Sequence, residues 1–405
     1  MESVDLLVTH ASELLTLAGS KKPRIQQQMK KLGIIKNGSI AVRGGRIVDV
    51  GRHLRYKADT IIDASGKLVM PGFVDPHTHV VFAGSREFEL DLKLAGVPYM
   101  EILKRGGGIY YTVEETRKAS PARLVEQSRR RLDTMLAYGT TSCEAKTGYG
   151  LDVEAEVKLL KAQKKLTETH PMDIVSTFLG AHAIPKHHKA DDYVQTVVTE
   201  MLPRTKGLAS FCDVFCEKDV FTVAQARTIL EAGKRYGLVP KIHADEIVNT
   251  EGAALAAEVG AISADHLLQS SVAGLRAMAQ KHVIGVLLPG TPFSSMMPYY
   301  APARKILQSG VPVALATDLN PNCWTENMQF IIQLACLKMQ MTPAEAITAS
   351  TFNAACAIGM QDSIGSLEKE KQADLLILDC PNHLFLPYHF GGNLVETVIK
   401  RGLVL

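Results

Sequence analysis

No window of this 405-residue chain reaches the length of unbroken apolar sequence needed to span a bilayer, so no membrane-crossing helix is expected. Excess charge of one sign is also lacking. The formal net charge of +3 is too small at this length to point to nucleic acid. No block of like charge marks a polyanion partner, and Arg129-Arg130-Arg131 reads as a solvated helix face. The start carries Glu2, Asp5 and Glu13 and lacks a basic stretch, so no secretory signal is expected. Seven cysteines, odd in number and scattered, fit reduced thiols in the cytoplasm. Cys212 and Cys216 read as buried packing. Two nucleotide signatures are missing: no Gly-x-Gly-x-x-Gly turn follows the first strand of the middle region, and no Lys-Ser/Thr follows Gly106-Gly107-Gly108. Internal repeats and low-complexity segments are absent as well. What is left, 46% hydrophobic and 21% charged, is the composition of a globular chain with room for one large domain and an accessory one.

The N-terminal part reads as short strands and turns. Ser39–Arg43 and Arg46–Val50 flank Gly44-Gly45, a two-residue hairpin signal. Strand-like runs return at Asp374–Leu378 and Val395–Ile399. Between them, eight apolar runs alternate with helical stretches: Val69–His79, Thr140–Lys146, Asp173–Ala181, Ser210–Cys216, Val239–His243, Ala261–His266, Val283–Leu288 and Val311–Asp318. The expected architecture is α/β: a (β/α)8 TIM barrel over 69–360, with a small β-sandwich-like domain built from both termini, 1–68 and 361–405. Exposed edges of that small domain would suit a homodimer. About sixty residues separate the first two barrel strands, and long βα loops are where barrel enzymes place substrate contacts.

Four distant segments each bring a metal ligand to a strand end: His77-Thr78-His79, His243-Ala244-Asp245-Glu246, Asp265-His266 and Thr317-Asp318. Side chains alternate along a strand, so His77 and His79 share a face. At the C-terminal mouth of a parallel barrel they read, with His243 and Asp318, as ligands of one Zn²⁺ or Fe²⁺. An open position there would hold water with its pKa lowered to about 7, which predicts hydrolysis by metal-activated water. His266 reads either as a further ligand or as the group that polarises the attacked carbonyl. Glu246 is placed to take a proton from water. The fourth strand ends in Phe215-Cys216-Glu217-Lys218, with no indicated bridge to a second ion.

Val69-Met70-Pro71-Gly72-Phe73-Val74-Asp75-Pro76-His77-Thr78-His79 resembles the entry motif of the amidohydrolase superfamily, and the strand-end His243, His266 and Asp318 complete its pattern. Narrower segments resemble the imidazolonepropionase family: His79–Arg86, Ala145-Lys146-Thr147-Gly148-Tyr149-Gly150-Leu151, Gly180–Pro185, Lys241–Glu246 and Ser263–His266. The likeness runs from the N-terminal strands to Gly391-Gly392-Asn393. It implies hydrolysis of the ring C–N bond of 4-imidazolone-5-propanoate to N-formimidoyl-L-glutamate, in histidine degradation. By resemblance, His77, His79, His243 and Asp318 hold one Zn²⁺ or Fe ion, and Arg86, Tyr149, His182 and Asn320 meet the substrate. Glu246 and His266 stand at the ring, and either Glu246 or Asp318 moves the proton. The substrate ends in a carboxylate, which suits the planar fork of Arg86 and the hydroxyl of Tyr149. The chain departs at Asn322 and Cys323, where many members carry Gly then Ser or Thr. Of these two implied substrate contacts, Asn322 keeps its backbone amide, whereas a thiol is a weak donor.

Two rival readings are another cyclic amidase or a purine or cytosine deaminase, and a non-catalytic binding protein on the same fold. The carboxylate anchor separates the first from the expected reaction; the intact ligand set and Glu246 argue against the second.

Overall fold

The computed structural model describes residues 2–97 and 99–405, with the side chains of residues 99, 100 and 103 outside that description. Strand β1 (Ser3–Leu15) runs antiparallel to β2 (Ile34–Arg43), which turns through Gly44-Gly45 into β3 (Arg46–Gly51). The two glycines take φ of 59° and 74°, the left-handed pair that a two-residue hairpin requires. A bulge between Val8 and Ala11 divides β1. Its first part pairs parallel with β4 (Lys57–Asp63), its second with β5 (Leu68–Pro71).

Gly72 carries the chain out of this sheet. A Cβ at this position would lie 2.2 Å from Thr141 Oγ1, so the approach of the two segments requires glycine. The expected run Val69–His79 is thereby divided: Val69–Pro71 stays in the terminal sheet, and the first barrel strand, β6, is only Phe73–Asp75. Gly72→Ala should lower stability by about 1–3 kcal/mol, as overpacking does. The check is a fall in the urea midpoint at unchanged m value.

The barrel continues through β7 (Thr140–Lys146), β8 (Asp173–Ala181), β9 (Phe211–Cys216), β10 (Val239–Ala244), β11 (Ser263–His266), β12 (Ile284–Leu287) and β13 (Val313–Leu315). Each is hydrogen-bonded in parallel to the next, in chain order. Every residue of β7, β11, β12 and β13 is buried, so along these strands buried and exposed positions do not alternate, as expected of a parallel sheet covered on both faces. The ring closes beyond the regular strands. Thr78 bridges Leu319; His79 N–H donates to Leu319 O at 2.8 Å and Asp318 N–H to His77 O at 3.1 Å.

Helices alternate with the strands. Pro121–Ala137 is capped by Ser120, whose Oγ accepts from Arg123 N–H at 3.2 Å, with proline in the first turn. The connection from β6 to β7 is not a bare loop: it holds Glu89–Leu94, Tyr99–Lys104 and Gly108–Lys118 as well. Gly107 caps the last of these, and Gly108 N–H donates to Glu89 Oε1 at 2.6 Å.

The C-terminal strands β14 (Leu375–Leu378), β15 (Val395–Lys400) and β16 (Leu403–Val404) return to the first sheet, where β14 lies antiparallel to β5. The small β unit is therefore one mixed sheet branched at β1, with its own core of Leu6, Val8, Leu14, Ile40, Leu375 and Ile377. Among the described residues no helix is long and apolar enough to cross a membrane.

Candidate metal centre

His77 and His79 follow β6, His243 lies on β10, His266 ends β11 and Asp318 follows β13. The parallel ring brings all five to one mouth. One ring nitrogen from each of His77, His79 and His243 lies within 4.8 Å of the others. Asp318 Oδ1 is 3.5 Å from His77 Nε2 and 3.8 Å from His79 Nε2, and its other oxygen accepts from the Thr291 hydroxyl. His266 stands beside this group, its ring centroid 5.5 Å from that of His77 and 5.3 Å from that of His243. Backbone strain gathers here. Asp245, His266 and Asp318 take φ of 53°, 76° and 55°, a region that costs a non-glycine residue roughly 1–3 kcal/mol.

The residues fit a bound cation. His77 Nε2, His79 Nδ1 and His243 Nε2 are buried with no hydrogen-bond partner among the described residues, and each such orphan costs about 1–3 kcal/mol. The opposite nitrogens of two of these rings are fixed: His77 Nδ1 lies 2.6 Å from Asp265 Oδ2, and His243 Nδ1 3.1 Å from Asp213 Oδ1. An imidazole whose Nδ1–H is held by a carboxylate presents the Nε2 lone pair, the arrangement of a metal-ligating histidine. Burial holds His77 and His79 well below the usual imidazole range, so both are neutral, as ligation requires. His243 is raised instead, because Asp213 overcomes the effect of burial.

Beneath the histidines lies a fully buried charge network. Lys146 Nζ is 2.6 Å from Asp213 Oδ2, 3.0 Å from Glu144 Oε1 and 3.3 Å from Asp265 Oδ2; Lys241 Nζ is 2.5 Å from Glu144 Oε2. One ammonium thus ties together the two carboxylates that orient His77 and His243. Its pKa is raised: burial opposes the charge, but Asp213, Glu144 and Asp265 outweigh it. Burial raises Asp265 and Asp318 too, and a cation at the histidines would restore their charged forms. Sequence reasoning missed Glu144, Asp213 and Lys241. The signal was present: charged residues inside otherwise apolar strands are expensive unless paired.

The predicted substrate contacts divide into those at the histidines and those further out. His182 stacks on His79 with centroids 4.8 Å apart and planes 9° apart, and its Nδ1 lies 3.1 Å from Gly148 O. Burial, then the neighbouring His243, holds its pKa at about 3. The Tyr149 ring is 5.5 Å from that of His79. Glu246 Oε1 is 3.6 Å from His266 Nδ1, and burial, then Asp318, pushes the Glu246 carboxyl up to about 8. Asn320 donates from Nδ2 to Asp318 O at 2.8 Å, and its Oδ1 accepts from the backbone N–H groups of Asn322 and Cys323. Cys323 is buried, its Sγ against Thr317 O at 3.5 Å. Asn322 Oδ1 accepts from Lys93 Nζ at 2.6 Å. Arg86 lies on Glu89 through two 2.8 Å bonds.

Comparison with solved structures shows the same fold. An adenosine deaminase from Xanthomonas campestris with bound zinc superposes with a TM-score of 0.75 at 19% identity, over 100% of this chain and 93% of that one. A Xaa-Pro dipeptidase gives 0.72 at 18%, over 99% of each chain. Sequence comparison reaches further. The profile of the amidohydrolase family matches residues 68–405. The imidazolonepropionase of Geobacillus kaustophilus (strain HTA426) is 54% identical, over 99% of this chain and 97% of its own. That of Alkaliphilus oremlandii (strain OhILAs) is 51% identical, over 100% and 98%. With a parallel barrel whose ligand-bearing strand ends converge as described, and with identity of this order from end to end, the chain belongs to the amidohydrolase family, among the imidazolonepropionases.

Proposed function

We propose that the chain hydrolyses the ring C–N bond of 4-imidazolone-5-propanoate to N-formimidoyl-L-glutamate, the histidine-degradation step for which its relatives are named. One observation carries this reading: three buried imidazoles with nitrogens within 4.8 Å, in a chain more than half identical to an imidazolonepropionase over its whole length. His77, His79, His243 and Asp318 would hold a single Zn²⁺ or Fe ion. Bound there, it supplies Lewis acidity and brings the pKa of a water ligand to about 7.

The rest is work for the chain's own side chains. His266, neutral by burial, faces the reacting carbon and offers an N–H to its carbonyl oxygen. Glu246 accepts a proton from the attacking water; as the new C–O bond forms and the ring C–N bond breaks, the same carboxyl hands the proton to the departing nitrogen. Asp318 is less suited to that shuttle, because Thr291 and the nearby histidines hold it on both sides. Tyr149 and His182 wall the ring, and Arg86 receives the propanoate. The seven unpaired thiols fit a cytoplasmic setting, and we take the enzyme to be a homodimer.

The test is direct. Purified protein of measured metal content should consume 4-imidazolone-5-propanoate and release N-formimidoyl-L-glutamate; no turnover by the metal-replete protein would sink the proposal. Arg86→Ala should raise KM for this acid by roughly tenfold to a hundredfold, the worth of a charged hydrogen-bond pair. A neutral base as the preferred substrate, unaffected by that change, would favour a deaminase.

A further inference from the structure

Arg86 is already paired with a carboxylate. Its Nε and Nη2 lie 2.8 Å from the two carboxylate oxygens of Glu89, which is itself fully buried. Guanidinium and carboxylate together carry no net charge. The next cation on the same connection is Lys93, on the helix Glu89–Leu94. It is half-buried, makes no ion pair among the described residues, and gives its 2.6 Å hydrogen bond to a neutral amide, Asn322 Oδ1. Asn322 Nδ2 is anchored in turn on Ser295 Oγ at 3.2 Å. Burial and Arg86 act against the Lys93 charge; Glu89, already engaged by Arg86, acts for it, and Cys323 does so less. Arg86, Glu89 and Lys93 thus sum to one positive charge, and Lys93 is the member without a matched partner.

We propose that Lys93 is a further substrate-binding residue, which joins Arg86 in receiving the propanoate carboxylate, with Asn322 as the arm that holds its ammonium in place. The inference rests on the substrate reading above. It follows from the chemistry of the three groups. An ammonium has three donors, so it can keep Asn322 and take a carboxylate oxygen as well. A cation drawn half out of water beside a neutral amide bears a desolvation cost that only an arriving anion offsets. A neutral ligand gains nothing there. The departure at position 322 acquires a reason: glycine there has no carbonyl arm to steer the ammonium.

The experiment uses the full, metal-loaded chain. Turnover of 4-imidazolone-5-propanoate is measured beside competitive inhibition by imidazole-4-propanoate and by its neutral amide, imidazole-4-propanamide. Lys93→Met should raise KM and the Ki of the acid by about tenfold or more, with the loss on KM rather than kcat, and leave the Ki of the amide alone. Lys93→Arg should recover most of the acid's affinity. Asn322→Gly should weaken the acid by roughly threefold, since it releases the ammonium without removing it. Equal weakening of acid and amide in Lys93→Met would reveal a structural role and overturn the proposal, as would an acid Ki within about twofold of the parent. If the parent protein fails to turn over the substrate yet still prefers acid to amide through Lys93, the substrate reading falls and the anion site stands.

Discussion

His77→Ala protein, purified in parallel with the parent, is expected to carry less than about a tenth of its metal and to lose activity by roughly 10⁴-fold, the scale of losing the ion's contribution. His77 is the hub of the site. Its Nε2 is nearest to Asp318 at 3.5 Å, its Nδ1 is pinned by Asp265 at 2.6 Å, and its backbone carbonyl receives the Asp318 N–H. Alanine removes a ligand and leaves Asp265 buried with Lys146 as its remaining close cation. Metal analysis decides the matter, with the folded state followed by circular dichroism. His266→Ala is the companion measurement. It should keep its metal and lose turnover, because Glu246 and the ring carbonyl, not the ion, are its partners in the proposed chemistry. Stoichiometric metal in His77→Ala, or metal loss in His266→Ala as deep as in His77→Ala, would break the ligand assignment.

Glu246→Gln should lower kcat by about 10²–10⁴-fold while the bound metal stays, which is the usual weight of a positioned acid–base group. The amide keeps the shape of the side chain and cannot carry the proton. Burial, then Asp318, lifts the carboxyl up to about 8, so it stays protonated to a higher pH than an ordinary glutamate. A base must be ionised to act, so kcat/KM falls as pH drops through that value, and the acid limb belongs to Glu246. A bound divalent ion pulls the carboxyl down, which places the limb of the metal-loaded enzyme below 8 and that of any carboxylate-free variant nowhere. Glu246→Gln should flatten it. In the metal-free protein the same group acts on stability: folding favours its protonated form, so the stability present at low pH is lost as pH rises through about 8. Thermal midpoints of the two metal-free proteins should therefore diverge on the alkaline side, with the glutamine variant the more stable. An acid limb that survives in Glu246→Gln would assign it to another group.

Local features were legible in the sequence. The His77–His79 pair announces itself because strand side chains alternate, and strand-end polar residues after apolar runs mark the barrel mouth. The Gly44-Gly45 hairpin is chemistry confined to a few neighbours. What was not legible depends on distant segments. Pro71-Gly72 is a local break signal inside Val69–His79, but the close approach of Thr141, across the ring, is what requires glycine there, and that is not visible locally. Glu144, Asp213 and Lys241 look like isolated charges until β7, β9 and β10 bring them within bonding distance. The Arg86–Glu89 pair was three residues apart and still missed, because a loop gives no period from which to infer facing side chains. Lys93 and Asn322 meet across 229 residues, beyond any pattern in one sequence.

Ring closure and ligand assembly use the same few backbone hydrogen bonds, those of His77 and His79 with Asp318 and Leu319. This ties the site to the timetable of synthesis. Asp75 and Thr317, which also bond across the seam, are 242 residues apart, and a ribosome adding about 5–20 residues per second needs roughly ten to fifty seconds to travel that far. Through that interval the His-x-His pair has been made and Asp318 has not. The proposed four-ligand site cannot exist on a nascent chain until nearly the whole barrel has emerged, so an ion held by all four side chains would be taken up only late in synthesis or after it.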